Sequence, residues 1–398
     1  MIQLDEALKL IDEAVAPLAP CHVPILEAMG CTVAEDITAE LNVPNFASSA
    51  MDGIAVRFSD VACEMPRKLK VQGIIPAGQP AETPLLQEHV YRIMTGAALP
   101  QGADTVIVVE ELEYQGDEVI ISRSPNQGDH VRPQGNDMRQ GDVVFHAGEV
   151  LKPIDTGILA ALGLTEVKVH PKPKIAVLAT GSEVVSPGQP LQAGQIYNTN
   201  DASLRSLLVN AGFPDPGAQT PVSDEKQPLR DIFARLCGEN DLVITSGAVS
   251  MGEFDFIPDI VRELGGDILF HKVFIKPGKP TLLAKFGSCW LLALPGNPVS
   301  VVVTFQMYAK RVLSRLMGKD YRPEREKATV AEPFQIRGER FQVWGATLQR
   351  NDDGLHAVPA QNYTSGRISA LKGIDGFMLV PGGSRIVEAG TIVEVEWV

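Results

Sequence analysis

Residues 241–270 read DLVITSGAVSMGEFDFIPDIVRELGGDILF. An apolar run, DLVIT, leads into a turn of small residues, then into a helical pattern, FIPDIVRELGG, and then into a second apolar run. This order predicts a strand, a helix and a second strand, and such units build parallel sheets whose two faces are covered by helices. The stretch therefore predicts a doubly wound α/β domain.

The same alternation continues on both sides of this stretch. Upstream we predict further strands and helices, and downstream we interpret DILFHKVFI as one strand that precedes two more apolar runs and a long helix. The upstream segments are KIAVLAT, ASLRSLLVNAGF, the weak run GAQTPV and PLRDIFARLC, and the downstream ones are TLLAKF, CWLLAL and PVSVVVTFQMYAKRVLSRL. The middle of the chain is predicted to form one parallel, doubly wound sheet.

The composition changes near Lys172 and again near Lys327. Outside these points, short β-branched runs alternate with Gly, Pro and Asn turns, which is typical of β-rich modules. The runs are KLKVQGII, TVIVVEE, EVIIS and VVFHAGEVL before Lys172, and FQVWGATLQR, GFMLVPGG and TIVEVEWV after Lys327. Before Lys172, helical patterns are confined to the N-terminus and to IDTGILAALGL. We predict β-rich N-terminal modules and a small C-terminal β-barrel.

The charge balance and the N-terminus limit the partners. The 398 residues carry 35 basic and 49 acidic side chains, a net charge of −14, so we expect no nucleic-acid partner. No apolar run approaches the ~20 residues of a membrane span. The N-terminal apolar residues recur at helical spacing among acidic ones, unlike those of a signal peptide; they are Leu4, Leu8, Ile11, Val15 and Leu18. We expect a soluble, cytoplasmic protein without a membrane partner.

Cysteine and histidine spacing argues against structural metal sites. The cysteines are Cys21, Cys31, Cys63, Cys237 and Cys289, and none of them belongs to a CxxC pair. This odd, scattered set disfavours disulfides and a zinc knuckle, and we interpret these residues as buried small apolar side chains in a reducing cytosol. The seven histidines show neither HxH nor HExxH spacing. A histidine metal site is not expected.

Small residues, carboxylates and lysines follow the predicted strands of the middle segment. They are residues 180–183 (TGSE), residues 223–225 (SDE), Ser246, Gly247, Ser250, Gly252, Glu253, Asp255, Lys276, Lys279 and residues 295–300 (PGNPVS). Ligands of open α/β sheets bind beyond the carboxyl ends of the strands. Gly and Ser allow close backbone approach, helix N-termini and lysines attract anions, and carboxylates can hold Mg²⁺ beside a phosphate. We predict a site for a phosphate-bearing ligand and Mg²⁺.

Each of these features has a simpler structural explanation. Asp224 can cap the following helix, and Asn297 can do the same before Pro298 at the first helical position. Glu183 can be a solvated turn residue, and KPGKP can be an exposed basic turn. Their convergence on one edge of the sheet favours a functional site.

Common nucleotide and hydrolase motifs are absent from the sequence. There is no GxGxxG, KPGKPT lacks the spacing of a phosphate loop, and Ser250 in GAVSMG does not fit GxSxG, which disfavours a serine hydrolase. In the N-terminal half, residues 44–57, 91–104 and 128–142 contain unusual Gly-bearing turns. These turns place Asp52 and Asp137 on loops, although each could equally be structural.

Six motifs taken together resemble those of the MoeA family, which comprises the molybdopterin molybdenumtransferases. This family is related to the E domain of eukaryotic gephyrin. The motifs are NFASSAMDGIAV, RIMTGAALP, TGSE, SGAVSMGEFD, IKPGKP and LPGNPVS. The resemblance runs through nearly the whole chain in the same order. It implies a MoaB/MogA-like central domain at 173–326, an elongated β-rich N-terminal region with a module at 47–139, a linker and dimerisation module at 1–46 and 140–172, and a C-terminal β-barrel at 327–398.

The resemblance also implies an activity in molybdenum cofactor biosynthesis. It is the Mg²⁺-dependent insertion of molybdate into adenylylated molybdopterin, with release of AMP. It further implies a homodimer with shared active sites, and a molybdopterin adenylyltransferase and molybdoenzymes as possible partners. An adenylyltransferase activity and a non-catalytic dimeric scaffold are the alternatives, although the flanking β-rich modules argue against the first and the loop carboxylates and lysines against the second.

Site residues carried over from the family fall into three groups. Glu183, Asp224 and Asp255 are assigned to the metal and to catalysis. Asp52 and Asp137 are assigned to catalysis alone, on the side that faces molybdate. Lys276 and Lys279 are assigned to anion binding. The remaining substrate-binding and loop-shaping positions are Thr95, Thr180, Gly181, Ser246, Gly247, Ser250, Lys272, Pro295, Pro298 and Ser365.

Two positions depart from the family pattern. Ala248 replaces a glycine of the central loop, which restricts φ. Trp344 replaces an arginine of the C-terminal region, and Arg337, Arg340 and Arg367 are candidates to compensate for the lost charge.

Overall fold

The structure is a computed structural model that describes residues 1–249 and 256–398. The described chain divides into two compact units. The first comprises Met1–His22, Gly30–Thr32 and Lys168–Val398, and the second comprises Val23–Met29 and Val33–Val167. The first unit contains the predicted α/β domain and the C-terminal barrel.

A central sheet organises the α/β domain. Its strands, in spatial order, are Ile175–Ala179, Leu242–Ser246, Cys289–Leu294, Leu282–Phe286 and Asp267–His271. Leu282–Phe286 runs antiparallel to both of its neighbours, and the other strands share one direction. The prediction of an entirely parallel sheet is therefore wrong. The reason is the two-residue turn at Gly287 and Ser288, because such a short connection forms an antiparallel hairpin.

Helices cover both faces of this sheet. Alternate residues of one strand face opposite cores: Leu242 and Ile244 belong to one apolar cluster and Val243 to the other. This alternation confirms the predicted doubly wound arrangement. The helices of this unit are Leu4–Ala14, Thr199–Asn210, Lys226–Glu239, Ile257–Glu263 and the helical run Pro298–Thr304, Phe305–Ala309 and Lys310–Leu316.

Two predicted strands differ from the structure. Residues 217–222 form no strand, and Val222 makes only an isolated parallel bridge to Thr180. Pro221 removes a backbone donor from this segment, and Pro214 and Pro216 precede it. DILFHKVFI is not continuous either. The strand ends at His271, and Lys272 has a φ of 69°. The next strand, Ile275–Lys276, pairs with Phe341–Asn351 rather than with the central sheet.

The C-terminal region forms the predicted small barrel. Its strands, in order around the barrel, are Phe341–Asn351, Gly354–Pro359, Arg325–Val330, Ile392–Trp397 and Gly376–Val380, and the last of these pairs with the first. Phe334–Ile336 and Arg385–Val387 form a separate antiparallel pair, and Ile368–Leu371 is a short 3₁₀ helix. Apolar residues of the barrel form their own core.

The second unit is β-rich, as predicted. Its main sheet has the order Thr105–Val108, Gly53–Val56, His89–Ile93, Arg67–Ile75, Glu118–Ile121 and Leu112–Gln115. Its helical segments are Phe58–Val61, Val109–Glu111 and Asp155–Ala161, and short strand pairs join Ser48–Ser49 to Val131–Arg132 and Ile37–Thr38 to Val143–Phe145. The remaining short strands of the chain are Cys21–Pro24, Thr32–Val33, Glu166–His170, Val184–Val185 and Ile196–Tyr197.

The cysteines are free thiols, but they are not uniformly buried. Cys31 and Cys289 are buried, Cys237 is half-buried, and Cys21 and Cys63 are exposed. The interpretation of all of them as buried apolar residues is therefore wrong for the last two. Among the described residues, no helix is both long and apolar enough to cross a membrane.

Candidate active site

The carboxyl ends of the parallel strands of the central sheet meet at one edge. The residues that follow these strands line a pocket of about 460 Å³, which we call the carboxylate pocket. It is lined by Thr180, Glu183, Tyr197, Asn200, Asp224, Ser246, Gly247, Ala248, Pro295 and Pro298, among others. The edge predicted from the sequence therefore carries a concave site.

The backbone at the start of the central loop is closely packed against the neighbouring strand. Gly247 has a φ of 97°, and a Cβ there would lie 2.5 Å from Thr180 Oγ1 and 2.7 Å from Thr180 O. Only glycine fits this position. The next residue, Ala248, adopts a φ of 49°, which is unusual for a residue with a side chain. Its left-handed backbone is therefore strained.

Asp224 lies in an environment that disfavours its charge. Burial raises the pKa of its carboxyl group, and the negative charge of Glu183 raises it further. The neighbouring Thr180 side chain acts in the opposite direction. Asp224 Oδ1 is buried and has no hydrogen-bond partner among the described residues. This oxygen calls for a donor or a cation from a ligand.

Ser246 presents a second buried oxygen in the same pocket. The residue is 1% exposed, and its Oγ has no hydrogen-bond partner within the part of the chain that the structure describes. It ends the central strand Leu242–Ser246, so the strand itself fixes its position. Two buried oxygens and a pair of neighbouring carboxylates make this pocket an acceptor-rich site.

A second pocket, of about 530 Å³, has the opposite charge, and we call it the cationic pocket. Its lining includes Lys276, Lys279, Arg337, Arg340, Gln335, Gln342, Trp344, Tyr363 and Ser365. Burial lowers the pKa of Lys276, and the charges of Arg340 and Arg337 lower it further. Cations held this close attract an anionic ligand. Pro280, Pro295 and Asn297 line both pockets, which are therefore adjacent.

Hydrogen bonds connect the helix start to the C-terminal region between the two pockets. The helix begins at Pro298 after Asn297, as predicted, but the Asn297 side chain does not cap it. Asn297 Nδ2 instead donates to Ser365 Oγ at 3.3 Å, and the Val299 N–H donates to Ser365 O at 3.0 Å. Asp224 does not cap a helix either, because the helix Lys226–Glu239 begins after Glu225. The structural explanation of these two residues as helix caps is therefore wrong.

Comparisons with known proteins agree with this architecture. Family models match the chain consecutively: the MoeA N-terminal region (domains I and II) at residues 2–163, a probable molybdopterin binding domain at residues 176–315, and the MoeA C-terminal region (domain IV) at residues 327–398. The chain is 38% identical to a molybdopterin molybdenumtransferase of Haemophilus influenzae over 323 residues, which cover 80% of this chain and 78% of the relative.

Relatives and structures also match along the full length. A molybdopterin molybdenumtransferase of Staphylococcus epidermidis is 32% identical and covers 99% of this chain, which in turn covers 95% of that protein. A crystal structure of the molybdopterin biosynthesis MoeA protein from Pyrococcus horikosii has a TM-score of 0.81 at 30% identity, and covers 100% of this chain and 99% of that one. The chain belongs to the MoeA family. It is therefore an enzyme of molybdenum cofactor biosynthesis.

The structure brings together most of the MoeA positions predicted in the α/β domain. Thr180, Glu183, Asp224, Ser246, Gly247, Pro295 and Pro298 line the carboxylate pocket, and Lys276, Lys279, Pro295 and Ser365 line the cationic pocket. Gly181 adjoins the first pocket, and a Cβ there would lie 2.7 Å from Glu183 Oε2. Lys272 is in neither lining. Its N–H donates to Thr281 O at 3.0 Å in the turn after Asp267–His271.

Some predicted MoeA residues cannot be placed in these pockets. Ser250 and Asp255 lie outside the described residues, as do Gly252 and Glu253. Within residues 1–249 and 256–398, no group of three or more His, Cys, Asp or Glu side chains is arranged to hold a metal ion. The predicted metal trio of Glu183, Asp224 and Asp255 thus remains a prediction.

The second unit contains the other predicted acidic residues of this MoeA chain. Asp52 Oδ1 accepts hydrogen bonds from the Thr95 N–H at 2.6 Å and from Thr95 Oγ1 at 2.8 Å. These bonds, first from the backbone and then from the hydroxyl, lower the pKa of Asp52. The Asp137 N–H donates to Val43 O at 3.0 Å. Thr95 therefore positions Asp52.

Trp344 is part of an aromatic cluster rather than a substitute for the family's arginine. Its ring centre lies 4.9 Å from that of Phe334 and 5.0 Å from that of Tyr363, and its indole N–H donates to Ala360 O at 3.2 Å. Positive charge in this pocket comes instead from Arg337 and Arg340, which were candidates to compensate. Arg367 is not part of the described lining of either pocket.

Sequence reasoning missed several lining residues of this MoeA site, notably Tyr197 and Asn200. They lie on either side of Asn198, which precedes the helix Thr199–Asn210 and accepts a hydrogen bond from the Asp201 N–H at 3.1 Å. The signal was the stretch YNTND, because an Asn or Asp before a helical pattern marks a helix start. A helix that starts at the carboxyl edge of a sheet presents its first residues to the site.

Proposed function

We propose that this enzyme inserts molybdate into adenylylated molybdopterin in a Mg²⁺-dependent reaction that releases AMP. The observation that supports this most strongly is the pair of adjacent pockets with opposite charge. Such a ligand carries phosphates that need a cation, and it receives an oxyanion that needs positive charge. Each requirement is matched by one of the two pockets.

The carboxylate pocket fits a magnesium ion. Asp224 Oδ1 and Ser246 Oγ are buried without partners in the described chain, and the raised pKa of Asp224 is expected where a carboxylate lacks its cation. Asp224 and Glu183 would hold the ion, with Ser246 Oγ as a further oxygen. When bound, Mg²⁺ would neutralise the phosphate charge that develops as the bond to AMP breaks. Its positive charge would also keep Asp224 ionised.

The cationic pocket fits molybdate as the second substrate. Lys276 and Lys279 would bind the oxyanion, and Arg337 and Arg340 would add charge and hydrogen-bond donors. Lys276 Nζ donates to Arg337 O at 3.3 Å, and Arg340 donates to Ile275 O at 3.3 Å, so backbone carbonyls hold both side chains in place. The residues of this pocket bind and orient the oxyanion beside the phosphate site.

Further parts of the proposal concern the assembly and its surroundings. We propose a homodimer with shared active sites, a cytoplasmic location, and a molybdopterin adenylyltransferase and molybdoenzymes as protein partners. Membership of the MoeA family supports these proposals. Sedimentation of the purified protein would test the dimer, because a monomeric mass at micromolar concentration contradicts it.

One assay decides among the activities. Purified protein is supplied with adenylylated molybdopterin and Mg²⁺, with and without molybdate, and AMP is measured. We expect AMP release that depends on molybdate. If ATP and molybdopterin yield the adenylylated product instead, the protein is an adenylyltransferase; if neither reaction occurs, it is a scaffold.

A further inference from the structure

Asn200 lines the carboxylate pocket and has a buried side-chain oxygen. It lies in the first turn of the helix Thr199–Asn210 and lines this pocket with Asp224 and Ser246. Its side-chain Nδ2 donates to Gly296 O at 2.8 Å. Its Oδ1 is buried and has no hydrogen-bond partner among the described residues. One half of this amide is therefore satisfied, and the other half is not.

The hydrogen bond to Gly296 fixes which way the amide points. An exchange of its nitrogen and oxygen would place Oδ1 2.8 Å from another carbonyl oxygen and would leave two acceptors facing each other. The observed orientation is therefore the stable one. As a consequence Oδ1 is the atom left without a partner, and it can only accept a hydrogen bond or bind a cation.

The pocket contains several oxygens in the same condition. Asn200 Oδ1, Asp224 Oδ1 and Ser246 Oγ are each buried and without a partner in the described chain, and all three residues line this one pocket. Ser246, at 1% exposure, cannot turn its oxygen to solvent. Buried acceptors are almost always satisfied in folded proteins, so their grouping indicates a ligand.

The charge of the pocket decides between a cation and a neutral donor. Glu183 and Asp224 both line the pocket, so two carboxylates face the same space. A neutral N–H group would leave these negative charges uncompensated. Carboxylate, amide and hydroxyl oxygens together are the donor set of a hard divalent cation.

We propose that Asn200 Oδ1 is a ligand of a divalent cation that also binds Asp224 and Ser246. The proposal rests on the proposed function for the presence of the cation, and it adds a neutral oxygen to the predicted carboxylates. The hydrogen bond to Gly296 orients this oxygen, and Gly296 adjoins Pro295 and Asn297, which line both pockets. The same amide thus connects the cation to the loop between the pockets.

The test measures cation binding directly. Mn²⁺, which is paramagnetic and has ligand preferences similar to those of Mg²⁺, is titrated into the full-length protein, with and without AMP, and free Mn²⁺ is followed by electron paramagnetic resonance. We expect Asn200→Ala to raise the Mn²⁺ dissociation constant by roughly tenfold or more, since loss of even an indirect metal partner costs about 10–100-fold. Asn210→Ala is the matched control, because Asn210 is the exposed last residue of the same helix.

A second variant separates a cation ligand from a merely structural residue. Asn200→Cys replaces the hard oxygen with a soft sulfur, which prefers Cd²⁺ to Mn²⁺. It is made in a Cys21→Ser, Cys63→Ser background, because those two thiols are exposed. We expect Cd²⁺ binding to tighten relative to that background, with a new thiolate-to-cadmium absorption in the ultraviolet. A residue that only supports Gly296 would give neither change.

Each outcome bears on the proposal. Unchanged Mn²⁺ affinity in Asn200→Ala, or an Asn200→Cys variant without Cd²⁺ preference, overturns the role of Asn200. If Asp224→Asn still weakens Mn²⁺ binding in that case, the proposed function is unaffected. If the wild-type protein binds no Mn²⁺ with or without AMP, the cation site itself is wrong. AMP release from the adenylylated pterin tests the reaction independently of all these results.

Discussion

The two pockets of the first unit use the same lining residues at their border and have opposite chemistry. The carboxylate pocket contains buried acceptors without partners, and the pKa of its Asp224 is raised. The cationic pocket contains lysines and arginines, and the pKa of its Lys276 is lowered. In both, burial and like charges disfavour the ionised side chains. Each pocket is thus prepared for a ligand of the opposite charge.

The two pockets also differ in the parts of the chain that build them. The first pocket lies at the carboxyl edge of the central sheet and is lined mainly by the loops and helix starts around that edge, with Ser246 at the end of a strand. The second combines the KPGKP turn with residues of the C-terminal region. A ligand that spans both would connect its phosphates and their cation to the first pocket and an oxyanion to the second. Changes in one pocket should therefore affect one ligand and leave the other unaffected.

The largest expected effect concerns Asp224. Asp224→Asn removes a charged cation ligand, and we expect AMP release to fall by about 100-fold or more, since loss of a key electrostatic group typically costs ~10²–10³ in rate. Activity is measured at saturating molybdate. Glu225→Gln changes the exposed neighbouring acid and should retain the wild-type rate. A rate within about threefold of wild type in Asp224→Asn would remove this residue from the mechanism.

The second-largest effect is expected for Lys276, and it should alter the binding of molybdate but not that of the cation. Lys276→Met removes a charge-assisted contact worth about 1.5–3 kcal/mol, so the half-saturating molybdate concentration should rise by roughly tenfold or more. Mn²⁺ binding to the carboxylate pocket should not change. Lys372→Met, at an exposed position, is the control. If the molybdate dependence stays the same and Mn²⁺ binding weakens, the two pockets have been assigned to the wrong ligands.

The lowered pKa of Lys276 predicts a pH dependence of smaller size. The ammonium group is charged below its pKa, so oxyanion binding weakens as the pH rises through that value. Because burial and the two arginines lower the pKa, this loss should begin at a lower pH than for an exposed lysine. Lys276→Arg keeps its charge throughout and should remove the alkaline decline, so that its molybdate affinity exceeds that of wild type by several-fold at alkaline pH. Parallel pH profiles for the two proteins would contradict this.

The carboxylate pocket was largely predictable from the sequence, and the cationic pocket was not. The rule that loops after parallel strands meet at one edge was sufficient to bring Glu183 and Ser246 together. Asp224 reaches the same edge although the predicted strand before it is only an isolated bridge of Val222 to Thr180. Arg337 and Arg340 reach Lys276 because Ile275–Lys276 pairs with Phe341–Asn351, more than sixty residues away. DILFHKVFI looks continuous, because nothing in its apolar pattern reveals the left-handed backbone of Lys272. Long-range pairing of this kind leaves no local signal.

The sequence analysis missed the antiparallel hairpin of the central sheet and the role of the Asn200 amide for different reasons. The sequence FGSC contains a two-residue Gly-Ser turn, a recognised hairpin signal, so the antiparallel strand Leu282–Phe286 could have been predicted. The role of Asn200 could not, because it depends on the hydrogen bond to Gly296 and on burial. Segment types were therefore readable from local patterns, whereas the orientation of single polar atoms required the packed structure.

Stability offers a smaller test of the carboxylate pocket. The raised pKa of Asp224 means that the folded protein binds its proton more tightly than the unfolded chain does, so the stability linked to that proton is present at low pH and is lost as pH rises through the folded pKa. Asp224→Asn cannot ionise, and we expect its melting temperature to exceed that of wild type by roughly 1–3 °C at pH 7. The difference should shrink as pH falls. Equal melting temperatures of Asp224→Asn and wild type at all pH values would argue against a raised pKa of Asp224.

The smallest expected effect concerns the backbone of the same pocket. Ala248 has a φ of 49°, and a left-handed residue with a Cβ costs about 1–2 kcal/mol, whereas glycine there adds entropy to the unfolded chain worth about 0.4–1 kcal/mol. Ala248→Gly should therefore stabilise the protein by about 0.5–1 kcal/mol in urea unfolding. Ala202→Gly, at an exposed helical position, is the opposite control and should destabilise it by about 0.5–1 kcal/mol. If both changes destabilise equally, the strain at Ala248 is not real, and the family's glycine at this position has a role other than conformational freedom.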